Sequence, residues 1–396
     1  MSATGRFTAP VRPAGPAAIQ QGDRKSAVPP AGPRTAGSIE CRRTRHIGWG
    51  NNVTAHDVEY IEILTSDLEA TCAYFTSAFG FRARARGTAA GLEGVLLEQG
   101  AVRLVVAAGP AAAGHLAAHG DGVVDIAFAC TDPVAVRDEA VAAGGRALTG
   151  PAPETLVVSG FGTVRHTLVR REPGAPAVLP ARWDWSGVGP SAPAGSAPAP
   201  ALAALDHVAV CLEAGTLHDV VRYYLDGFGF EQFYSEYVAV GEQAMDSIVV
   251  RSPSAGITFT VIEPDVSRKP GQIDEFLVRN GGGGVQHLAF LVEEIVPAVL
   301  EFEARGVEFL RTPATYYDAL AERIPSLEAV IADLRKTNVL ADRDEWGHLL
   351  QLFTRSPFER RTLFFELIQR QGAQGFGSAN IRALYEAVER ARAVTA

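Results

Sequence analysis

Two stretches of the chain alternate apolar and polar positions in the same way. Val58-Glu-Tyr-Ile-Glu-Ile-Leu64 and Leu205-Asp-His-Val-Ala-Val-Cys211 each read as a strand with one buried face. Each is followed by a helical stretch that closes on a similar tetrapeptide, Ala78-Phe-Gly-Phe81 and Gly227-Phe-Gly-Phe230. In the second, Leu217, Val220, Val221, Tyr224, Leu225 and Phe228 keep the i, i+3, i+4, i+7 spacing of a buried helix face, and Thr216 is placed to cap it. Further on, Val124-Asp-Ile-Ala-Phe-Ala129 matches Gln286-His-Leu-Ala-Phe-Leu291. Each of these precedes a helix and a glycine turn, Ala143-Gly-Gly145 and Arg305-Gly306. The chain thus repeats a unit of strand, helix and several strands, more than once in each of two regions. This predicts an α+β fold of two domains, each a mixed sheet curled around a cavity by paired βαβββ units. Near the end, Ile381, Leu384, Tyr385 and Val388 recur at helical spacing behind Asn380, which predicts a closing C-terminal helix with Asn380 as its cap.

Composition sets the boundaries. Residues 1–50 carry eight Arg or Lys against two acids, with six prolines and almost no apolar periodicity. Such a segment buries too little surface to offset its ordering entropy, so 1–55 is expected to be a disordered tail. Arg42-Arg43 is a twin arginine, but no apolar run follows it, so export is not expected. A second break spans 173–203, where seven prolines lie among Ala, Gly and Ser, and reads as a semi-rigid linker. Trp183 and Trp185 lie inside it and are expected to pack on a neighbouring domain. The two domains then cover 56–172 and 204–396.

The whole chain has 396 residues, 47% hydrophobic and 20% charged, with a net charge of −9. That balance excludes a wholly disordered chain, and its acidity argues against nucleic acid or an anionic membrane as partner. No run approaches the ~18 apolar residues of a membrane span. Cys41, Cys72, Cys130 and Cys211 are scattered without a CxxC pair, which supports neither a zinc site nor a disulfide framework. The reduced cytoplasm is the expected compartment.

Three polar residues stand on strand positions of the second region. His207 lies in the alternating strand, His287 follows the run Gly281-Gly-Gly-Gly284, and Glu366 interrupts the apolar strand Leu363-Phe-Phe-Glu-Leu-Ile368. A carboxylate buried there is costly unless it is paired or bound to a metal. Two imidazoles and one carboxylate on one face suit a non-haem Fe(II) with open positions for oxygen chemistry. The separations of 80 and 79 residues form no local motif. Hydrogen-bonded core histidines and a glutamate paired with an arginine fit the same pattern. Aligning the halves sets Tyr60 opposite His207, Asp125 opposite His287 and Thr167 opposite Glu366. The first half lacks the set and reads as structural.

At these residues the chain resembles the 4-hydroxyphenylpyruvate dioxygenase family of the vicinal oxygen chelate superfamily. The resemblance is carried by Asp206-His-Val208, Ser247, Glu263-Pro264, Gly271-Gln-Ile-Asp-Glu-Phe-Leu277 and Gly284-Val-Gln-His-Leu-Ala-Phe290. It continues through Thr312-Pro313 with Tyr316-Tyr317, Leu349-Leu-Gln-Leu-Phe-Thr354, Phe364-Phe-Glu-Leu-Ile-Gln-Arg370, and Phe376-Gly377 with Asn380. It spans about 57–390 and is densest beyond 204. It implies Fe(II) held by His207, His287 and Glu366, with 4-hydroxyphenylpyruvate chelating the metal beside O2. The family has a homogentisate-forming branch and a hydroxymandelate-forming one. Where the first usually has Pro-x-Asn, this chain reads Thr260-Val-Ile262, and where it usually has phenylalanine after the C-terminal Asn, Ile381 stands. Both departures look like the hydroxymandelate-forming branch.

Phe353 and Phe364 are candidate walls for the aromatic ring, and equally ordinary strand core. Ser247, Gln272, Gln286 and Gln351 are candidates for polar contacts to substrate or metal ligands, while Thr260, Ile262, Asn380 and Ile381 are expected to border the substrate. A homodimer is a possible assembly. A metal-free binding protein of the same superfamily is the reading of another class, disfavoured by the intact His207, His287 and Glu366.

Overall fold

A computed structural model describes residues 54–150, 155–187, 189, 202–377, 379–380 and 382. The tail expected over 1–55 lies almost wholly outside the described residues, as does Ile381. Of the expected C-terminal helix only Ala379, Asn380 and Arg382 are described, all in helical conformation.

The first sheet holds β1 (Ala55–Leu64), β2 (Arg82–Ala89), β3 (Leu92–Gln99), β4 (Val102–Ala108), β5 (Gly122–Cys130), β6 (Ala147–Leu148), β7 (Leu156–Ser159), β8 (Arg165–Arg170) and β9 (Asp184–Ser186). The second holds β10 (Leu202–Cys211), β11 (Glu231–Val240), β12 (Gln243–Arg251), β13 (Thr258–Pro264), β14 (Gly284–Val292), β15 (Leu340–Arg343), β16 (His348–Phe353) and β17 (Phe364–Gln371). Among the described residues, eight α-helices, α1 (Leu68–Ala73), α2 (Ala113–His119), α3 (Pro133–Ala142), α4 (Leu217–Phe228), α5 (Gln272–Asn280), α6 (Ile295–Ala304), α7 (Ala314–Arg323) and α8 (Ile331–Thr337), connect them. Strand order is β6-β7-β8-β5-β1-β4-β3-β2-β9 in one sheet and β15-β16-β17-β14-β10-β13-β12-β11 in the other. Apart from β9 the two orders correspond strand for strand. Parallel pairs fall at β1/β4 and β5/β8, and again at β10/β13 and β14/β17. The fold is α+β, with two curled mixed sheets built from four βαβββ units.

One apolar core joins the halves. Phe79 meets Phe290 and Phe365 across it, and Phe128 meets Phe228 and Phe259. Helix α4 buries Leu217, Val221, Tyr224 and Phe228 there, and its chain reverses at Gly229, whose φ of 67° suits a residue without Cβ. Its N-terminus departs from expectation. The Thr216 hydroxyl donates to the Glu213 carbonyl instead of capping the helix. The Glu263 carboxylate, arriving from β13, accepts the amides of Gly215, Thr216 and Leu217 at 2.7, 3.0 and 3.0 Å. A charged acceptor at a helix N-terminus satisfies more orphan amides than one hydroxyl.

Within 173–203, Trp183 is buried in the first sheet's concave face and β9 pairs with β2. Trp183 lies so close to Gly94 that a Cβ there would stand 2.4 Å from its ring. No helix of the described residues is long and apolar enough to cross a membrane.

Candidate metal centre

Strand pairing places the three predicted ligands together. His207 on β10 is in register with Ala289 on β14, and Ala289 with Glu366 on β17. His287 lies one pleat from Ala289, so all three side chains project from one face. One ligand atom from each lies within 4.8 Å of the others. Glu366 Oε2 is 3.4 Å from His207 Nε2 and 3.2 Å from His287 Nε2, and all three residues are buried.

Each candidate ligand is held from behind. Pairing along β10 slips by one residue between Leu205 and His207, so Asp206 is the extra residue of a bulge. Its carboxylate accepts from His207 Nδ1 at 2.8 Å and takes two bonds from Arg370, at 2.6 and 2.8 Å. His287 Nδ1 donates to Gln286 Oε1 at 3.2 Å. Gln351 Nε2 donates to Glu366 Oε1 at 2.7 Å, and Asn380 Nδ2 to Gln351 Oε1 at 2.8 Å. The Tyr316 hydroxyl donates in turn to Asn380 Oδ1. With both Nδ1 atoms engaged, both Nε2 atoms face the centre, and His287 Nε2 is buried without a hydrogen-bond partner.

The electrostatics agree. Burial opposes charge on His207, but Glu366 and then Asp206 outweigh it and raise the imidazole to about 9. Burial would raise Glu366, yet His207 and His287 pull it down to about 2. Burial lowers His287 in spite of Glu366. Positive charge is thus favoured beside Glu366 at His207 and disfavoured by burial at His287. Two nitrogen donors and one oxygen donor on one face, backed by hydrogen bonds, fit a divalent first-row ion.

The other predicted residues fall into two groups. Phe364 stacks on His287 at 4.9 Å, and Phe353 stands edge-on to the same ring at 5.8 Å. With Gln286, Gln351 and Asn380 they surround the centre. Ser247 pairs with Ile262, and Thr260 with Ala209, two residues beyond His207, so these three share the inward face farther along the sheet. The Thr260 hydroxyl is buried without a hydrogen-bond partner, and Ile262 lies in an apolar cluster with Cys211, Met245 and Phe276. Gln272 opens α5.

Asp206, Arg370, Val249 and Phe376 were not among the predicted site residues. Val249 pairs with Thr260 on the same inward face. Phe376 stands edge-on to His207 at 5.2 Å. The signal for Asp206 was its place beside a strand histidine, but adjacent strand residues point to opposite faces unless a bulge intervenes.

Comparison with known proteins places this geometry. The Glyoxalase/Bleomycin resistance protein/Dioxygenase superfamily matches residues 57–156 and 204–352. The 4-hydroxyphenylpyruvate dioxygenase of Neurospora crassa is 34% identical over 296 residues, 70% of this chain and 71% of its own. That of Dictyostelium discoideum is 33% identical over 295 residues, 70% of this chain and 80% of its own. The chain belongs to the 4-hydroxyphenylpyruvate dioxygenase family. Its similarity to a solved mutant of 4-hydroxymandelate synthase from Streptomyces coelicolor is greater: 47% identity and a TM-score of 0.77, covering 86% of this chain and 99% of that one. The chain is thus a dioxygenase-family enzyme within a vicinal oxygen chelate fold, and the resemblance read from its motifs holds.

Proposed function

We propose that this enzyme converts 4-hydroxyphenylpyruvate and O2 to 4-hydroxymandelate and CO2, using Fe(II) held by His207, His287 and Glu366. The observation that carries the metal assignment is the buried, partnerless His287 Nε2 facing Glu366 and His207. A ferrous ion bound there would supply oxygen activation and the oxidative decarboxylation of a chelated 2-oxo acid. The protein's own work is to orient and enclose. The Phe353 and Phe364 rings at His287 form an aromatic wall for the substrate ring. Gln286 and Gln351 fix the ligands, and Ser247 and Gln272 are proposed as further polar contacts to the substrate. Asn380, buried and bonded to Gln351, closes the side from which water would enter.

Product choice depends on which carbon faces the oxidant. Ile262, among Cys211, Met245 and Phe276 on the inward face, gives that region an apolar lining, and Thr260 beside it offers a hydroxyl and no side-chain amide, a surface that favours reaction at the benzylic carbon over the ring. The higher identity to the hydroxymandelate synthase supports the same branch. Homogentisate formation is the second reading, favoured by the names of the curated relatives at 33–34% identity. The product is proposed to be the S enantiomer, feeding hydroxyphenylglycine for peptide antibiotics, as the family resemblance implies. Incubation of the iron-loaded enzyme with 4-hydroxyphenylpyruvate and chromatography of the product tests this. Hydroxymandelate as main product is expected, and homogentisate as main product overturns the branch.

A further inference from the structure

We propose that Arg370 is a positioning residue for the metal ligand His207, acting through Asp206, and that the corresponding arginine of the first half has no such role. The inference rests on the metal reading above. Arg370 grips both oxygens of Asp206, from Nε at 2.6 Å and Nη2 at 2.8 Å. Its third nitrogen, Nη1, donates to the Gly375 carbonyl at 2.7 Å and the Ala373 carbonyl at 3.2 Å. The guanidinium also lies 5.1 Å from the Phe376 ring centroid, and that ring abuts His207. One side chain thus braces His207 twice, by the carboxylate bonded to Nδ1 and by the aromatic ring at its edge. A bidentate arginine–carboxylate pair fixes the carboxylate plane, and the plane fixes the imidazole.

The repeat supplies an internal control. The first half has the same bulge between Val58 and Tyr60, which makes Glu59 the counterpart of Asp206 and Arg171 the counterpart of Arg370. Glu59 and Arg171 also form an ion pair, at 2.6 Å. Glu59, however, accepts from Arg103 at 2.8 Å and from the Val178 amide at 2.7 Å, and the neighbouring side chain is Tyr60. There the pair ties chain segments together. In the second half one carboxylate oxygen is turned onto an imidazole. The carboxylate–arginine pair belongs to the fold, and its use as a ligand brace belongs to the second half.

Co(II) binding, followed by titration against a competing chelator, tests this without reference to turnover. Arg370→Gln and Asp206→Asn are each expected to weaken apparent affinity by about tenfold or more, the usual cost of losing a partner behind a metal ligand. Arg171→Gln should lower the melting temperature yet leave Co(II) affinity within about twofold, because its partner Glu59 touches no ligand. Asp206→Asn keeps the side-chain shape and decides the matter alone if Arg370→Gln does not fold. Wild-type affinity in the folded variants overturns the role, as does an equal loss in Arg171→Gln. A wild type that binds no Co(II) overturns instead the metal reading on which the inference rests.

Discussion

The two halves share a strand order and differ at the centre of each concave face. Where the second half has His207, His287 and Glu366, the same register positions of the first hold Tyr60, Asp125 and Thr167. Asp125 accepts the Thr167 hydroxyl at 2.6 Å, the Thr167 amide at 3.0 Å and Arg165 at 2.9 Å. Glu62, also buried, pairs with Arg182 and Arg165. Two guanidinium groups thus supply, from within the chain, the positive charge that a metal would supply in the second half. Trp183 fills the remaining space among Tyr60, Leu96, Val105 and Ala127. A concave sheet does not make a site by itself. In the second half the buried Glu366 meets two imidazoles instead of guanidinium groups, and imidazoles are side chains that can share it with a metal ion.

The sharpest way to break this contrast is to remove one ligand. His207→Ala, His287→Ala or Glu366→Ala should each reduce turnover to background and lower bound iron, with the far-UV spectrum of a folded protein retained. Thr167→Ala, at the matching position of the first half, should leave iron content and oxygen uptake near wild type. Full activity with any one of the three ligands missing would sink the metal assignment.

The plug sets the next largest effect. Trp183→Ala should cost roughly 3–5 kcal/mol in urea denaturation, the range for truncating a large buried aromatic side chain. Product identity should not change, because the cavity it opens lies in the other half. A loss of stability below about 1 kcal/mol would show that the first cup does not depend on its filling.

Much of this was legible in the sequence, for particular reasons. The repeat appeared because strand period and the Phe-Gly-Phe helix endings are local signals. The candidate ligand set, which the fold brings together, stood out because a glutamate among Leu363, Phe364, Phe365, Leu367 and Ile368 violates the apolar pattern. What stayed hidden depends on tertiary contact. Arg370 reaches Asp206 across 164 residues, through a bulge that alternation does not reveal. The helix expected to be capped by Thr216 is capped by Glu263, which lies 47 residues farther along the chain. The proline-rich composition of 173–203 masked a three-residue strand, although the two tryptophans within it marked a packing segment and Trp183 is buried.

A third test concerns the contact between the halves, where pH acts on one buried ring. His166 on β8 donates from Nδ1 to the Ile126 carbonyl and accepts the Tyr224 hydroxyl at Nε2, stacked against Phe128. Burial lowers it from 6.5 to about 4, the Ile126 bond and Asp125 opposing only in part. The folded state therefore holds the neutral ring. Its contribution is complete above pH 6.5 and is lost as pH falls toward 4, because the unfolded chain binds the proton first. The amount is on the order of 3 kcal/mol. Glu62 runs the other way, since burial raises it, so the wild-type curve mixes both. The difference between wild type and His166→Gln isolates the histidine. It should favour wild type less and less across that window, and a difference independent of pH would refute the account.

The smallest expected effect probes the second half's own lining. Ile262 shares the inward face with Thr260 and Ser247, in an apolar cluster with Cys211 and Met245. Ile262→Asn introduces an amide whose donors and acceptor seek partners, and the substrate that Ile262 is expected to border can supply them. A bias of ~1.4 kcal/mol between two competing barriers changes a product ratio about tenfold. A modest reorientation is therefore enough to move part of the flux from hydroxymandelate to homogentisate or another ring-oxidised product. Chromatography of the variant's products reads this directly. Its iron content should match wild type, since Ile262 touches none of the three ligands' supports, and this separates a redirected reaction from a damaged centre. Thr260→Pro, at another position that departs from the homogentisate pattern, should act in the same direction. Coupling between the two is expected because Thr260 and Ile262 share one strand face. If the wild type makes hydroxymandelate and the double variant does too, in unchanged proportion, the aliphatic lining is not what selects the carbon. The choice would then belong to the aromatic wall of Phe353 and Phe364.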